Sequence, residues 1–331
     1  MRKHLLGAMT ALLAMISVRA LAAPALEVLG QDFSFPHRIE GMPARLSDFA
    51  GLQVNTFVTN DSVRLAYWEA GKGKPLIFVP GWSANGAQYV NLMFLLAKNY
   101  HVFVLDPRNQ GRSQHVDHGT RIARYSMDLR QLGEHLGVTS ADYVGHSMGA
   151  AILWSYIDLF GTKGMHKVVF VDEPISIYLH GDWSEKERQE AGGTTTSPER
   201  MVAAFTSGGP VNALITDTKP FERAQLLDSP YFVNSEAFAS AVIKNDSRAM
   251  GRVLFNHTVS DWRDVVRYKI DVPAAIFSGD ESNNLPSQRW AQSVIPNATL
   301  FAYSSAAQGD HFLMFKNPVR FVDDLRSFLE R

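Results

Sequence analysis

The chain has 331 residues, of which 46% are hydrophobic and 20% are charged. These proportions are those of a folded globular protein, and they exclude a disordered chain, a collagen and a coiled coil. The 32 basic residues are balanced by 33 acidic ones, which argues against a dedicated nucleic-acid-binding protein. The chain has no cysteine, which excludes disulfides, thiolate metal sites and cysteine nucleophiles.

The first 22 residues have the three parts of a secretory signal peptide. Arg2 and Lys3 give a positive start, an apolar stretch runs from Leu5 to Val18, and Ala20-Leu21-Ala22 supplies the small residues of a cleavage site. The apolar stretch is shorter than the roughly 20 residues that span a bilayer, so a stable membrane anchor is not expected. We expect export to the periplasm or the medium, with cleavage near Ala22 and an N-terminal extension over residues 23–52.

From residue 53 onward, short runs rich in β-branched and aromatic residues alternate with helical patterns. The predicted strands are Gln53–Thr59, Val63–Ala70, Leu76–Val79, Val102–Leu105, Asp142–Val144, Val168–Val171, Ala274–Ser278 and Thr299–Tyr303. The predicted helices are Gln88–Lys98, Ser126–Leu136, Met148–Phe160, Pro286–Val294 and a last one opened by Asn317-Pro318. This alternation predicts an α/β fold with a mostly parallel eight-stranded sheet, covered by helices on both faces.

The alternation stops between Ile175 and Tyr268, where no buried-strand pattern occurs. Helix-like segments take its place, at Trp183–Ala191, Pro198–Phe205, Phe221–Leu227 and Glu236–Phe255. A segment of roughly 90 residues exceeds what one βαβ crossover requires. We therefore predict a helical cap over residues 176–268, inserted after the sixth strand into a core formed by residues 53–175 and 269–331.

A Gly-x-Ser-x-Gly motif, formed by Gly145, Ser147 and Gly149, lies between the fifth predicted strand and the helix after it. A serine at the tip of a strained strand-to-helix turn needs neighbours two positions away that have little or no side chain. Ser147 is therefore predicted to be a nucleophile rather than an ordinary turn serine. Met148, at the start of the helix, is predicted to offer its backbone N–H to a developing oxyanion.

From residue 53 to its end, the chain resembles the α/β-hydrolase superfamily. Besides the serine motif, the segment Phe78–Trp82 is similar to the family's loop after the third strand. The resemblance implies that the backbone N–H of Trp82 completes an oxyanion hole with that of Met148. Pro80 stands where a histidine is usual, a change that removes no backbone donor.

The segment Leu105–Ser113 also resembles the superfamily. It is similar to the Asp-x-Arg-Gly-x-Gly-x-Ser loop after the fourth strand, with Asn109 in place of the first glycine of that pattern. The resemblance implies a structural role for Asp106 and Arg108, and neither is predicted to be catalytic.

The general base has to lie close to the nucleophile in space, although it is distant in sequence. His311 lies between the last predicted strand and the terminal helix, where the superfamily has a Gly-x-His loop, and it is the one histidine of 11 placed this way. His146 is interpreted as a packed neighbour inside the serine turn. The remaining histidines considered are interpreted as surface or cap residues without metal or acid–base roles: His115, His118, His180 and His257.

The acid that orients this histidine has several candidates. In most of the superfamily it follows the seventh strand, but the expected position holds Ser282, with Asp280 and Glu281 close by. In some branches the acid follows the sixth strand, where this chain has Asp172 and Glu173. An acid at either strand end can hold the histidine in the required tautomer. Asp172 is the preferred candidate, Asp280 is the first alternative, and Glu173 and Glu281 remain open.

These residues together predict a serine hydrolase that cleaves a small carboxylic ester or lactone through an acyl-enzyme, without a metal or an organic cofactor. The fold leaves carbon–carbon bond hydrolases, perhydrolases and iminopeptidases as alternatives. In an iminopeptidase, Glu173, Asp182 or Glu185 would face the substrate ammonium. A ligand-binding protein with an intact Ser-His-acid set and slow turnover is the alternative outside enzymes, because a fold alone does not fix a function.

Overall fold

The computed structural model describes residues 24–35, 37–190, 192, 197–206, 229–231 and 245–331. The predicted signal peptide and the predicted cap helix Phe221–Leu227 lie outside the described residues, as does the first part of the predicted helix Glu236–Phe255. None of the described helices is both long enough and apolar enough to span a membrane.

An eight-stranded sheet forms the centre of the fold. Its strands are β1 (Gln53–Val58), β2 (Arg64–Ala70), β3 (Lys74–Val79), β4 (Tyr100–Leu105), β5 (Ala141–His146), β6 (Met165–Val171), β7 (Ala274–Gly279) and β8 (Thr299–Tyr303). Their order across the sheet is β1-β2-β4-β3-β5-β6-β7-β8. The pairs β1–β2 and β2–β4 are antiparallel, and the other five are parallel. The predicted mostly parallel sheet is confirmed.

Eleven α-helices are found in the described part of the chain. They are α1 (Ala25–Leu29), α2 (Val90–Leu96), α3 (Ile122–Leu136), α4 (Met148–Phe160), α5 (Glu185–Glu190), α6 (Pro198–Phe205), α7 (Ser247–Thr258), α8 (Arg263–Tyr268), α9 (Leu285–Val294), α10 (Leu313–Lys316) and α11 (Pro318–Leu329). Helices α5 to α8 follow β6 and precede β7, and no strand occurs among the described residues of that segment. These four helices lie within residues 176–268, where the sequence predicts a helical cap.

Helices cover both faces of the sheet. Alternate residues of each strand point to opposite faces, so each face presents apolar side chains for helices to pack against. In β4, Val102 and Val104 join a cluster with α2, α11 and the N-terminal residues Phe33 and Phe49. Phe103, the residue between the two valines, joins the opposite cluster, which includes α3, α4, α8 and α9. The two clusters form the hydrophobic core, and they fix the strand ends that carry the site described below.

Helix boundaries differ from the prediction where hydrogen bonds from capping side chains decide them. Helix α5 begins at Glu185 rather than at Trp183, because Ser184 caps it: the backbone N–H of Glu187 donates to Ser184 Oγ at 3.3 Å. Helix α3 begins four residues before the predicted start, at Ile122, whose N–H donates to Asn256 Oδ1 of α7 at 2.9 Å. The predicted helix over residues 88–98 is divided, with a 3-10 turn before α2.

The loop after β4 is held by a buried guanidinium. Arg108 is fully buried, and its Nε and Nη2 donate to the two carboxylate oxygens of Asp128 on α3 at 3.0 and 2.9 Å. It also donates to both carboxylate oxygens of Asp61, which lies in the β1–β2 turn. The nearby carboxylate of Asp106 accepts from the backbone N–H groups of Gly86 and Arg112. These contacts join three segments of the core and fit the structural role that the resemblance implies.

Replacing Arg108 with Met is expected to lower the free energy of unfolding by about 3 kcal/mol, because it leaves the buried Asp128 carboxylate with one of its two arginine partners. Arg130→Gln is the matched control, since Arg130 forms an exposed pair with Glu134, and its expected cost is below about 0.5 kcal/mol. Chemical denaturation of the two variants measures the difference. Equal losses in the two variants would contradict the structural role of Arg108.

Candidate active site

Ser147 occupies the turn between β5 and α4, with φ of 53° and ψ of −132°. A Cβ atom on Gly145 would lie 2.5 Å from the carbonyl oxygen of Gly149, and one on Gly149 would overlap the carbonyl oxygen of Val79. Side chains at either glycine are therefore incompatible with this turn. The glycines allow β3, β5 and α4 to approach closely, and this approach places the serine at the carboxyl end of the sheet.

The structure brings Ser147, His311 and Asp172 together. The Oγ atom of Ser147 lies 3.1 Å from Nε2 of His311, and Nδ1 of the same ring lies 2.7 Å from Oδ2 of Asp172. Asp172 follows β6 directly, and His311 lies between β8 and α10. The parallel strands therefore bring residues that are far apart in sequence to one edge of the sheet. This is the geometry in which a histidine accepts the proton of an attacking serine.

The alternative acids lie elsewhere. Asp280 and Glu281 are exposed at the end of β7. Their backbone N–H groups bond to the carbonyl oxygens of Tyr303 and Gly309. Among the described residues, Asp172 is the acid that contacts Nδ1 of His311.

Asp172 accepts three further side-chain hydrogen bonds that the sequence reasoning did not foresee. Ser278 Oγ donates to Oδ1 at 2.5 Å, and Ser282 Oγ and Asn284 Nδ2 donate to Oδ2 at 2.7 and 3.0 Å. Burial by itself would raise the pKa of the Asp172 carboxyl, but the bonds from His311 and the two serines lower it below its usual value. The carboxylate is therefore held in its charged form beside the histidine.

Ser282 has a particular place in this arrangement. It stands where most of the superfamily has the acid, and its hydroxyl reaches the carboxylate oxygen that bonds to His311. The sequence itself shows that this loop has no acid at the expected position. The polar residues Ser278 at the end of β7 and Ser282 and Asn284 in the loop after it were the available signal that this region supports an acid supplied from β6.

The pKa values of the two histidines of the site shift in opposite directions. Burial lowers the pKa of His311, but the hydrogen bond and the charge of Asp172 outweigh burial and raise it above the usual value. Burial and the neighbouring His311 lower the pKa of His146 to about 3, so His146 remains neutral at physiological pH. Nε2 of His146 lies 2.8 Å from the carbonyl oxygen of His311, which ties the histidine loop to the serine turn.

The rate of ester hydrolysis, measured as kcat/KM, is expected to rise with pH as His311 loses its proton, because only the neutral ring accepts the serine proton. The midpoint should lie above the ordinary histidine pKa of 6.5, since Asp172 raises the pKa of His311. In Asp172→Asn the midpoint of the residual activity should lie at a lower pH than in the unaltered protein. Profiles of both proteins from about pH 5 to about pH 9 test this. A midpoint that stays unchanged in the variant would contradict the assignment.

The two predicted oxyanion donors lie beside the serine. Met148 is the first residue of α4, and amides of the first helical turn have no acceptor within the helix. A Cβ on Gly81 would lie 2.9 Å from Cβ of Ser147, so glycine allows the loop after β3 to approach the serine closely. The Trp82 indole N–H donates to the carbonyl oxygen of Met250 in α7 at 2.9 Å. This bond fixes the loop against the cap.

A cavity of about 440 Å³ lies above Ser147. Its walls are largely apolar and include Trp82, Met148, Pro174, Ile177, Leu254, Phe312 and Phe315. Glu173 and His257 also line the cavity, and both side chains are buried. His257, interpreted from the sequence as a surface or cap histidine, is therefore a cap residue that faces the site. Among the described residues, no group of three or more acidic and histidine side chains is placed to hold a metal ion.

Comparisons with known proteins agree with this architecture. The family model described as alpha/beta hydrolase fold matches residues 74–209. The chain is 27% identical over 292 residues to a non-heme haloperoxidase of Rhodococcus erythropolis, a match that covers 83% of this chain and 99% of the relative. It is 23% identical over 262 residues to the bifunctional esterase/perhydrolase DCH of Acinetobacter calcoaceticus, covering 76% and 91% of the two chains.

A solved structure gives the same fold. The structure described as Est816, an N-acyl homoserine lactone degrading enzyme, superposes with a TM-score of 0.64 at 21% identity. The superposition covers 83% of this chain and 100% of that one. The sheet order, the serine turn, the family model and these relatives lead to one conclusion: the chain has the α/β-hydrolase fold and is similar to members of that superfamily.

Proposed function

We propose that the protein is a serine hydrolase that cleaves a small carboxylic ester or lactone through an acyl-enzyme on Ser147. The observation that carries this proposal is the hydrogen-bonded series from Ser147 through His311 to Asp172, with distances of 3.1 and 2.7 Å, at the base of a largely apolar cavity. Such a series activates a serine, which is a weak nucleophile by itself.

The mechanism follows from this geometry. His311 accepts the Ser147 proton as Oγ attacks the substrate carbonyl, and the backbone N–H groups of Met148 and Trp82 stabilise the oxyanion. The protonated histidine then gives its proton to the leaving alkoxide, which departs as an alcohol. Water, deprotonated by the same histidine, attacks the acyl-enzyme and releases the acid. In a lactone the alcohol and the acid are parts of one hydroxy acid.

The cavity supports a substrate of modest size. A volume of about 440 Å³ lies in the range of small-molecule sites, and the aromatic and aliphatic walls favour an apolar acyl or alcohol group. Of the three acids considered for an iminopeptidase, only Glu173 lines this cavity. Asp182 and Glu185 are exposed, and Asp182 lies 3.5 Å from Arg263.

Perhydrolysis is the second candidate, favoured by the similarity to a bifunctional esterase/perhydrolase over most of both chains. In this reaction hydrogen peroxide replaces water as the nucleophile that attacks the acyl-enzyme, and a percarboxylic acid leaves. The same residues carry both reactions, so the acyl-enzyme is common to them.

The test is a panel of p-nitrophenyl esters and simple lactones, assayed with purified protein and with Ser147→Ala as the control. We expect turnover of esters and lactones that Ser147→Ala lacks. Peracid formation from a carboxylic ester and hydrogen peroxide separates the second candidate from the first. Tight binding of these compounds without catalytic turnover would contradict both reactions and favour a ligand-binding protein.

Export is a further part of the proposal, based on the signal-peptide pattern of residues 1–22. The expected result is a mature chain in the periplasm or the medium that begins near Ala23. N-terminal sequencing of the protein from each cell fraction checks it. An intact N-terminus on protein confined to the cytoplasm would contradict export.

A further inference from the structure

Two buried ionisable side chains outside the catalytic series share its cavity. Glu173 follows Asp172 in the chain and is 2% exposed, and His257 on the cap helix α7 is 4% exposed. Both line the cavity above Ser147. Nε2 of His257 lies 3.0 Å from Oε1 of Glu173. The pair therefore connects the end of β6 to the cap inside the substrate cavity.

This pair leaves polar atoms without hydrogen bonds. Despite the short distance, the geometry between the two side chains is not that of a hydrogen bond, and Glu173 Oε1 and His257 Nδ1 are both buried without a partner. Among the described residues, no side chain donates a hydrogen bond to the Glu173 carboxylate. Asp172, its neighbour, has four such donors. A buried carboxylate without a donor is costly, and this one lines the substrate cavity, so the pair is suited to a ligand that supplies a donor.

The backbone that carries Glu173 is fixed by its surroundings. The Gln288 side chain donates to the carbonyl oxygen of Glu173, and the N–H of Ile175, two residues later, donates to Ser287 Oγ at 2.9 Å. The backbone after β6 is thus held by helix α9, and a substrate group can meet Glu173 in a preformed position. Preorganised polar groups of this kind determine specificity in an otherwise apolar cavity.

The imidazole beside the carboxylate favours a neutral donor over a cation. The imidazole of His257 already lies 3.0 Å from Glu173, and a substrate ammonium would have to share the carboxylate with it. A hydroxyl or an amide N–H can donate to Glu173. The oxygen atom of the same hydroxyl or amide group can still accept a hydrogen bond from the imidazole.

We propose that Glu173 and His257 form a polar subsite that selects ester or lactone substrates carrying a hydroxyl or an amide N–H. The Glu173 carboxylate accepts the hydrogen bond from this group, and the His257 imidazole pairs with a second polar atom of the same substituent. The subsite rests on the proposed function, because it positions the ester whose carbonyl Ser147 attacks.

The experiment compares butanoate esters with esters that differ by one hydroxyl, placed at each carbon of the acyl group or of the alcohol group in turn. For the best hydroxylated ester, kcat/KM is expected to exceed that of the parent by about tenfold. Glu173→Met, which has no carboxylate acceptor, should bring this ratio close to one. Glu173→Gln, which keeps one acceptor oxygen, should retain part of the ratio. Glu134→Gln, an exposed change on α3, should leave it unchanged.

Three results would overturn the subsite. The first is a kcat/KM ratio close to one in the unaltered protein for a hydroxyl at every position, and the second is a raised ratio that persists in Glu173→Met. The third is a stronger preference for the ester with an amino group in place of the hydroxyl, which would indicate an ammonium site instead. If no ester is hydrolysed, the proposed function fails. The subsite is then tested by titration calorimetry on Ser147→Ala with the same esters. The hydroxylated ester is expected to bind with a lower Kd than its parent, by the same factor.

Discussion

Replacing Asp172 with Asn is expected to lower kcat for ester hydrolysis by roughly 10⁴-fold while leaving the fold intact. Asp172 is fully buried and bonds to Nδ1 of His311 at 2.7 Å, so it sets the tautomer that leaves Nε2 free to accept the serine proton. An amide can instead donate to Nδ1, which stabilises the wrong tautomer and removes the charge that stabilises the imidazolium. Steady-state kinetics with a p-nitrophenyl ester measure the loss.

The matched control is Asp280→Asn, because Asp280 is exposed and the alternative acid of the sequence prediction. It is expected to retain most of the activity. Ser282→Asp in the Asp172→Asn protein should restore part of the lost rate, since the side chain at 282 already reaches the oxygen that bonds to His311. A greater loss in Asp280→Asn than in Asp172→Asn would overturn the assignment of the acid.

The second large effect is expected for His311. Replacing it with Gln should reduce kcat by roughly 10⁶-fold, and combining it with Ser147→Ala should cause almost no further loss, because the two residues act as one unit. The rate that remains reflects oxyanion stabilisation and binding. Single-turnover assays at high enzyme concentration are needed to measure rates this low.

His118→Gln is a suitable control for this experiment, since the His118 side chain is 55% exposed and lies outside the cavity. It should leave kcat unchanged. If the fold-losses in kcat of the two single variants multiplied in the double variant, Ser147 and His311 would act independently. That result would contradict the 3.1 Å contact between them.

Features determined by local sequence were the most predictable. The strands are apolar runs bounded by turn residues, and the serine turn needs glycines at 145 and 149, whose side-chain positions are occupied by backbone. His311 could be predicted because the strand before it and the helix after it are both evident in the sequence. Each of these signals lies within about a dozen residues of the feature that it predicts.

Features determined by contacts between distant segments were not predictable in the same way. The candidates for the acid could be narrowed to two strand ends, but the choice depends on donors from β7 and the loop after it, which reach Asp172 only in the folded chain. His257 is another case, because 84 positions separate it from Glu173 and no local pattern joins a cap helix to the end of β6. Tertiary contacts, rather than local propensity, decide such pairs.

Active-serine labelling tests the central claim most directly. The purified protein and Ser147→Ala are treated with a fluorophosphonate, and the adduct is located by peptide mass spectrometry. The account predicts rapid labelling confined to Ser147, no labelling of the alanine variant, and slow labelling in Asp172→Asn, because the reagent reports the activated serine itself. No adduct on Ser147, or equally fast labelling of another residue in the alanine variant, would contradict the account.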